Sequence, residues 1–162
     1  MRIKMGFFSR LFGITEPVQE PVIEAELKEN KDMLWERVSS ILSYVDNDLR
    51  PELVRAQQKK WMRATISDFR NFHAKMMDGR MRLEKDVARL EAVPLQNPAF
   101  QEYSRNMSNS FKRLIGELKE VEHQLQGERN VTEVTNHVTE GINVFDELKG
   151  YWTSQVRKQF LD

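Results

Sequence analysis

One run of residues constrains this chain more than anything else in it. Met62, Ile66, Phe69, His73, Met76, Arg80, Leu83, Val87 and Leu90 alternate steps of four and three without interruption. A 3.5-residue repeat sustained over four heptads keeps one edge of a helix facing a partner helix along its length. The rest of the chain must then supply partners, and three further stretches do so. Ile23, Leu27, Leu34, Val38, Ile41 and Val45 form one stripe, and Met107, Phe111, Leu114, Leu118, Val121 and Leu125 a second. Val131, Val134, Val138, Gly141, Phe145, Leu148, Trp152 and Val156 form the third. Each recurs at helical period. The fold class expected is all-α: an elongated four-helix bundle of coiled-coil hairpins.

Breakers and caps divide these stripes. Residues 1–13 form an N-terminal amphipathic segment, and Pro17 and Pro21 mark residues 14–21 as a linker that cannot form a regular helix interior. The bundle is expected over 22–162, with helices at about 22–46, 50–92, 98–126 and 130–160. Asp48 with Pro51 reads as a break and a new start, as does Asn97 with Pro98. Gly127 reads as a terminator and Asn130 as the next cap. A helix over 50–92 would be a rod of roughly 60 Å, which argues for elongation. Trp35, Trp61, Phe72, Met77, Ile115, Tyr151 and Phe160 fall at positions expected to be exposed. That surplus apolar surface argues for self-association.

Composition narrows the chemistry. Charged residues make up 31% of the chain, and cysteine is absent. There is therefore no thiolate nucleophile, disulfide framework or cysteine-type zinc site, and a reducing cytoplasm suits such a chain. No apolar run reaches the roughly 20 residues that cross a bilayer. Neither a nucleophile elbow, a phosphate-binding glycine loop nor a dinucleotide fingerprint is present, and the chain reads as non-catalytic. The pair Glu120 and His123 has the Glu-x-x-His spacing of di-metal bundles, but no second copy exists and both fall beside the apolar stripe. No metal or other cofactor is expected.

The net charge is zero, yet its distribution is uneven. Arg2, Lys4 and Arg10 give residues 1–13 a charge of +3, residues 14–36 carry −5 and residues 50–89 carry +6. Within the basic stretch, Lys59, Arg63 and Arg70 form one line and Lys75, Arg82 and Arg89 another. Most such faces are solvated or pair with acidic helices. The remaining destinations are an anionic membrane surface and, less favoured, nucleic acid. His73 and Arg80 are polar residues on the seam, where they set register, and Arg80 needs an acid from a neighbouring helix.

The sharpest functional signal is the segment Ile3-Lys4-Met5-Gly6-Phe7-Phe8-Ser9-Arg10-Leu11-Phe12. Coiled as a helix, it gathers Ile3, Phe7, Phe8, Leu11 and Phe12 on one arc, with Arg10 opposite. Lys4 falls inside that arc and interrupts it. Such a segment inserts shallowly into a bilayer, docks in a groove on a partner protein, or packs back on the bundle itself. An amphipathic front helix ahead of long heptad helices with a basic face is similar in outline to the membrane-shaping BAR-domain and ESCRT-III families, in layout and not in any residue motif. The function expected is a non-catalytic scaffold that self-associates and docks on an anionic membrane surface through residues 2–12, located in the cytoplasm at the membrane periphery. The alternative is a soluble assembly subunit whose front helix plugs a partner protein. A small-molecule substrate is not expected.

Overall fold

Each apolar stripe with described side chains finds its partner in an antiparallel bundle of helices. The computed structural model describes residues 19–126 and 130–161, with side chains from residue 30 onward. Helix α1 spans Gln19–Tyr44 and continues through a π-turn, Val45–Leu49, into α2, Arg50–Gln58. A 3₁₀ turn, Trp61–Arg63, leads to α3, Ile66–Glu91. Helix α4 spans Pro98–Gln124 and α5 spans Val131–Tyr151. A second π-turn, Trp152–Val156, and a 3₁₀ turn, Arg157–Phe160, carry α5 onward. No strand occurs among the described residues, and the fold is an all-α helical bundle.

The expected break at Asp46–Pro51 is not a break. The Arg50 N–H bonds the carbonyl of Val45, five residues back, and the helix widens by one residue instead of ending. Proline has no N–H and its ring crowds the carbonyl four residues earlier. A π-turn just ahead of Pro51 opens the ladder at that point. The first leg therefore runs unbroken from Gln19 to Gln58.

The true break lies inside the expected helix 50–92. Lys59, Ala64 and Thr65 are extended, and Thr65 opens α3 with a capping box. Its hydroxyl accepts from the Asp68 N–H at 3.1 Å, while the Asp68 carboxylate accepts from the Thr65 N–H at 2.9 Å. Met62 and Ile66, expected on the seam, are 86% and 58% exposed. Trp61 goes inside instead, its indole N–H on the Ala56 carbonyl at 2.9 Å and its ring 5.2 Å from Phe69 and 5.1 Å from Phe72. At 26 residues, α3 is about 39 Å long rather than 60 Å.

The later boundaries follow their caps. Asn97 accepts from the Ala99 N–H with Pro98 in the first turn of α4, and Asn130 accepts from the Glu133 N–H to open α5. Gly127 lies outside the described residues.

Cross-helix pairs fix direction and register. Glu52 meets Lys75 and Tyr44 meets Arg82, so the first leg and α3 are antiparallel. Arg80 with Glu122, Glu84 with Lys119 and Glu91 with Lys112 make α3 and α4 antiparallel. Glu117 with His137 and Asn106 with Tyr151 do the same for α4 and α5. Asp46 with Lys149, Arg50 with Asp146 and Gln57 with Thr139 close α5 onto the first leg. The core between the legs is continuous, with Phe111, Phe145, Met76, Leu83, Leu114 and Leu118 at 0–1% exposure. At the end where α4 begins, Trp35, Phe100, Trp152 and Phe160 stack with ring centroids 5.1–5.7 Å apart.

Candidate docking surface

The surface that could meet a partner is set by what the core leaves outside. Helix α3 turns Phe69, Phe72, Met76, Gly79, Leu83, Val87 and Leu90 inward. One flank faces α4. There Arg80 binds Glu122 through two parallel hydrogen bonds, one of them 3.0 Å, and reaches Glu84 at 3.3 Å. Glu122, 8% exposed, is the acid that Arg80 required of a neighbouring helix. Hydrogen bonding to Glu122 holds the Arg80 guanidinium above its ordinary value. Burial would raise the Glu84 carboxyl, but the cations Lys119 and Arg80 outweigh it and hold the group low. His73 sits beside this pair, half-buried, with its Nε2 3.0 Å from the Gln126 amide. Both polar seam residues thus tie α3 to α4.

The other flank faces the first leg and uses up much of the expected basic face. Lys75 binds Glu52 at 3.0 Å, and Arg55 shares that carboxylate. Burial pushes Glu52 up, yet those two cations bring it below its usual range. Arg82 lies 3.8 Å over the Tyr44 ring and 3.7 Å from Asp86. Lys59 pairs with Asp68 at 3.2 Å and covers the Trp61 ring. Hydrogen bonds from the Thr65 backbone and then from Lys59 keep Asp68 low. The two expected lines of cations are therefore not one face. Lys59 and Arg63 precede α3, and Lys59, Lys75 and Arg82 are neutralised inside the molecule.

Arg63, Arg70 and Arg89 remain, together with Lys85, which the spacing argument passed over. All four are exposed, and none forms an ion pair among the described residues. Arg70, Ala74, Met81, Lys85 and Ala88 project opposite the buried side of α3. Met62 and Arg63, in the 3₁₀ turn, and Ile66, at the start of α3, are also exposed, and Arg89 stands on the α1 flank. Met62, Ile66 and Met81 are among the large apolar side chains left exposed. One acid, Asp78, interrupts the strip.

The apolar surplus expected at the surface is mostly absent. Trp61, Phe72 and Ile115 are core residues, while Trp35, Met77, Tyr151 and Phe160 are half-buried. Aromatic residues beside a seam widen the buried stripe beyond the line of the 3.5-residue repeat. Glu120 and His123 are exposed, as their off-stripe spacing implies. His137 escaped the sequence reading. Its Nδ1 lies 2.7 Å from Glu117 and its Nε2 3.5 Å from Glu133. The Glu133–His137 spacing of four was the visible signal. Ile3, Phe7, Phe8, Arg10, Leu11 and Phe12 lie outside the described residues. No described helix is long and apolar enough to cross a membrane. No protein-family model matches the chain, and neither curated proteins nor solved structures include a match to it.

Proposed function

We propose that this protein is a non-catalytic helical scaffold that docks on an anionic membrane surface, anchored by its amphipathic N-terminal segment and oriented by the outward side of α3. The observation that carries the reading is the exposed side of α3 and the turn before it: four cations without ion-pair partners among the described residues, accompanied by exposed Met62, Ile66 and Met81 and by one acid, Asp78. A bundle that satisfies Lys59, Lys75 and Arg82 internally leaves these four without an ion-pair partner among the described residues. Each cation held near an anionic leaflet contributes about 1 kcal/mol, so four contribute about 4 kcal/mol, or roughly a thousandfold in partitioning. The flexible methionines and Ile66 add shallow apolar contact, while the phenylalanine-rich segment supplies the insertion.

Vesicle co-sedimentation tests this. Pelleting is expected with phosphatidylglycerol-containing vesicles, weak with phosphatidylcholine alone, and reduced by salt because exposed charges are screened. Deleting residues 1–13 should abolish it, and Arg70→Glu with Lys85→Glu should weaken it with the fold intact. Equal pelleting on neutral vesicles, or none on anionic ones, would overturn the reading and favour a protein groove as the destination of the front segment. The same reading has the scaffold self-associate. Light scattering on the full chain and on the 14–162 truncation checks this, and a concentration-independent monomer in both removes it.

A further inference from the structure

Two buried polar atoms among the described side chains have no hydrogen-bond partner, Ser108 Oγ and Arg37 Nε. A helical serine can turn its hydroxyl to the carbonyl four residues back. A guanidinium Nε–H has no such local acceptor, and a donor that meets neither water nor protein is costly to leave. Arg37 borders a cleft of about 170 Å³ between α1 and α3, lined also by Glu36, Ser40, Ile41, Asp86 and Arg89. Arg89, across the cleft, makes no ion pair among the described residues either. Asp86 is engaged by Arg82 at 3.7 Å, whereas Glu36 makes no ion pair among the described residues. Two guanidiniums and a carboxylate thus border one cleft without pairing, although opposite charges side by side ordinarily close on each other. At roughly 30 Å³ per water the space would hold about six waters, enough for one tetrahedral oxyanion with solvent.

We infer that this cleft recognises the terminal phosphate of a phosphomonoester, a deepening of the membrane reading that rests on it only for the lipid source. Arg37 and Arg89 would take the oxyanions, since guanidinium forks match phosphate oxygens in charge and geometry. A singly protonated phosphate has one P–O–H left to donate, and the Glu36 carboxylate is the acceptor. The three charges then have complementary roles: two hold the anion and one reads its proton. The cleft adjoins the α3 strip through Arg89, so a headgroup and a bilayer surface can be met together.

The test uses the full chain. Inorganic phosphate at low millimolar concentration should raise the wild-type melting temperature, as any ligand of the folded state does. Sulfate, which lacks the donor proton at neutral pH, should raise it less. Arg37→Gln and Arg89→Gln should not lower the unliganded melting temperature, because no described bond is lost, and should weaken phosphate binding roughly tenfold or more. Glu36→Gln should narrow the gap between phosphate and sulfate. Vesicles of phosphatidic acid and of phosphatidylglycerol at matched surface charge then separate the sources. A phosphatidic acid preference that Arg37→Gln and Arg89→Gln erase, but Arg70→Gln does not, assigns the site to a lipid headgroup. A phosphate-specific thermal shift without that preference assigns it to a soluble phosphate. If phosphate and sulfate act alike and the Arg37 and Arg89 variants respond as wild type does, the cleft is only solvated and the inference falls. That result leaves vesicle binding untouched. Conversely, loss of all vesicle binding with a retained phosphate shift sinks the membrane reading alone.

Discussion

Arg80 and Glu122 offer a sharp test of how polar groups are tolerated in this core, because the two partners differ in what each would lose. Their side chains are 21% and 11% exposed. Arg80→Met leaves Glu122, buried beside the seam of α4, without its ion-pair partner. Removing one member of a buried pair costs about 3–5 kcal/mol, and partial exposure places this case near the lower end, about 3 kcal/mol. Glu122→Leu leaves Arg80 with Glu84, one turn along the same helix at 3.3 Å. That partner and an easier path to solvent should hold the loss to about 1–2 kcal/mol. The double variant removes both charges and fills the seam with apolar atoms, so its loss should be smaller than the Arg80→Met loss alone. Urea unfolding with a common m-value measures all three, and each kcal/mol should move the melting temperature by about 2–4 °C at this size. Equal losses from the two single variants, or additive losses in the double one, would refute the claim that Glu122 depends on Arg80 more than the reverse.

Other outcomes follow from the same structure. Glu52, Glu84 and Asp68 all titrate below their ordinary values of 4.5, 4.5 and 3.8. The stability they contribute is complete above those values and is lost as pH falls through the lower, folded-state ones. The urea midpoint should therefore hold from pH 7 to about 5 and drop below about pH 4.5, less steeply in a Lys75→Met, Lys119→Met variant; a midpoint flat to pH 3 would contradict this. Phe111→Ala, at a position with no exposure, should cost about 3–5 kcal/mol in urea unfolding. Thr65→Ala should cost about 1 kcal/mol by uncapping α3. Gly116→Ala meets nothing within 4 Å and should raise the melting temperature, whereas a Cβ at Gly79 meets Leu49 Cδ1 at 3.0 Å, so Gly79→Ala should not.

Legibility of the candidate surface varied with what each residue needs. Arg70 and Arg89 could be placed on an exposed basic face from spacing, because a charge off the apolar stripe of a helix faces outward whatever the partner helix is. Their freedom could not be read, since Lys75 and Arg82 share that spacing and are neutralised by Glu52 and Asp86. Ion pairing is a property of the facing helix, and neither its direction nor its register is encoded locally. Arg37 carried no signal at all, because its unpaired Nε–H exists only once α3 lies across α1.

Local periodicity and capping chemistry settled the class of the fold. Apolar residues every three or four positions must be buried along a line, and Asn97-Pro98 and Asn130 begin helices because side-chain acceptors and a proline lacking N–H suit a helix start. Tertiary structure decided where the first leg ends. Residues 46–51 carry break signals, yet Leu49 and Leu53 are buried at 3% and 1%, and a π-turn keeps both facing the core. Residues 59–65 continue a heptad, yet Trp61 buries more apolar surface than Met62, and the chain breaks to put it inside. A heptad counts positions, whereas a core weighs area, and where the two disagreed the larger ring took the interior.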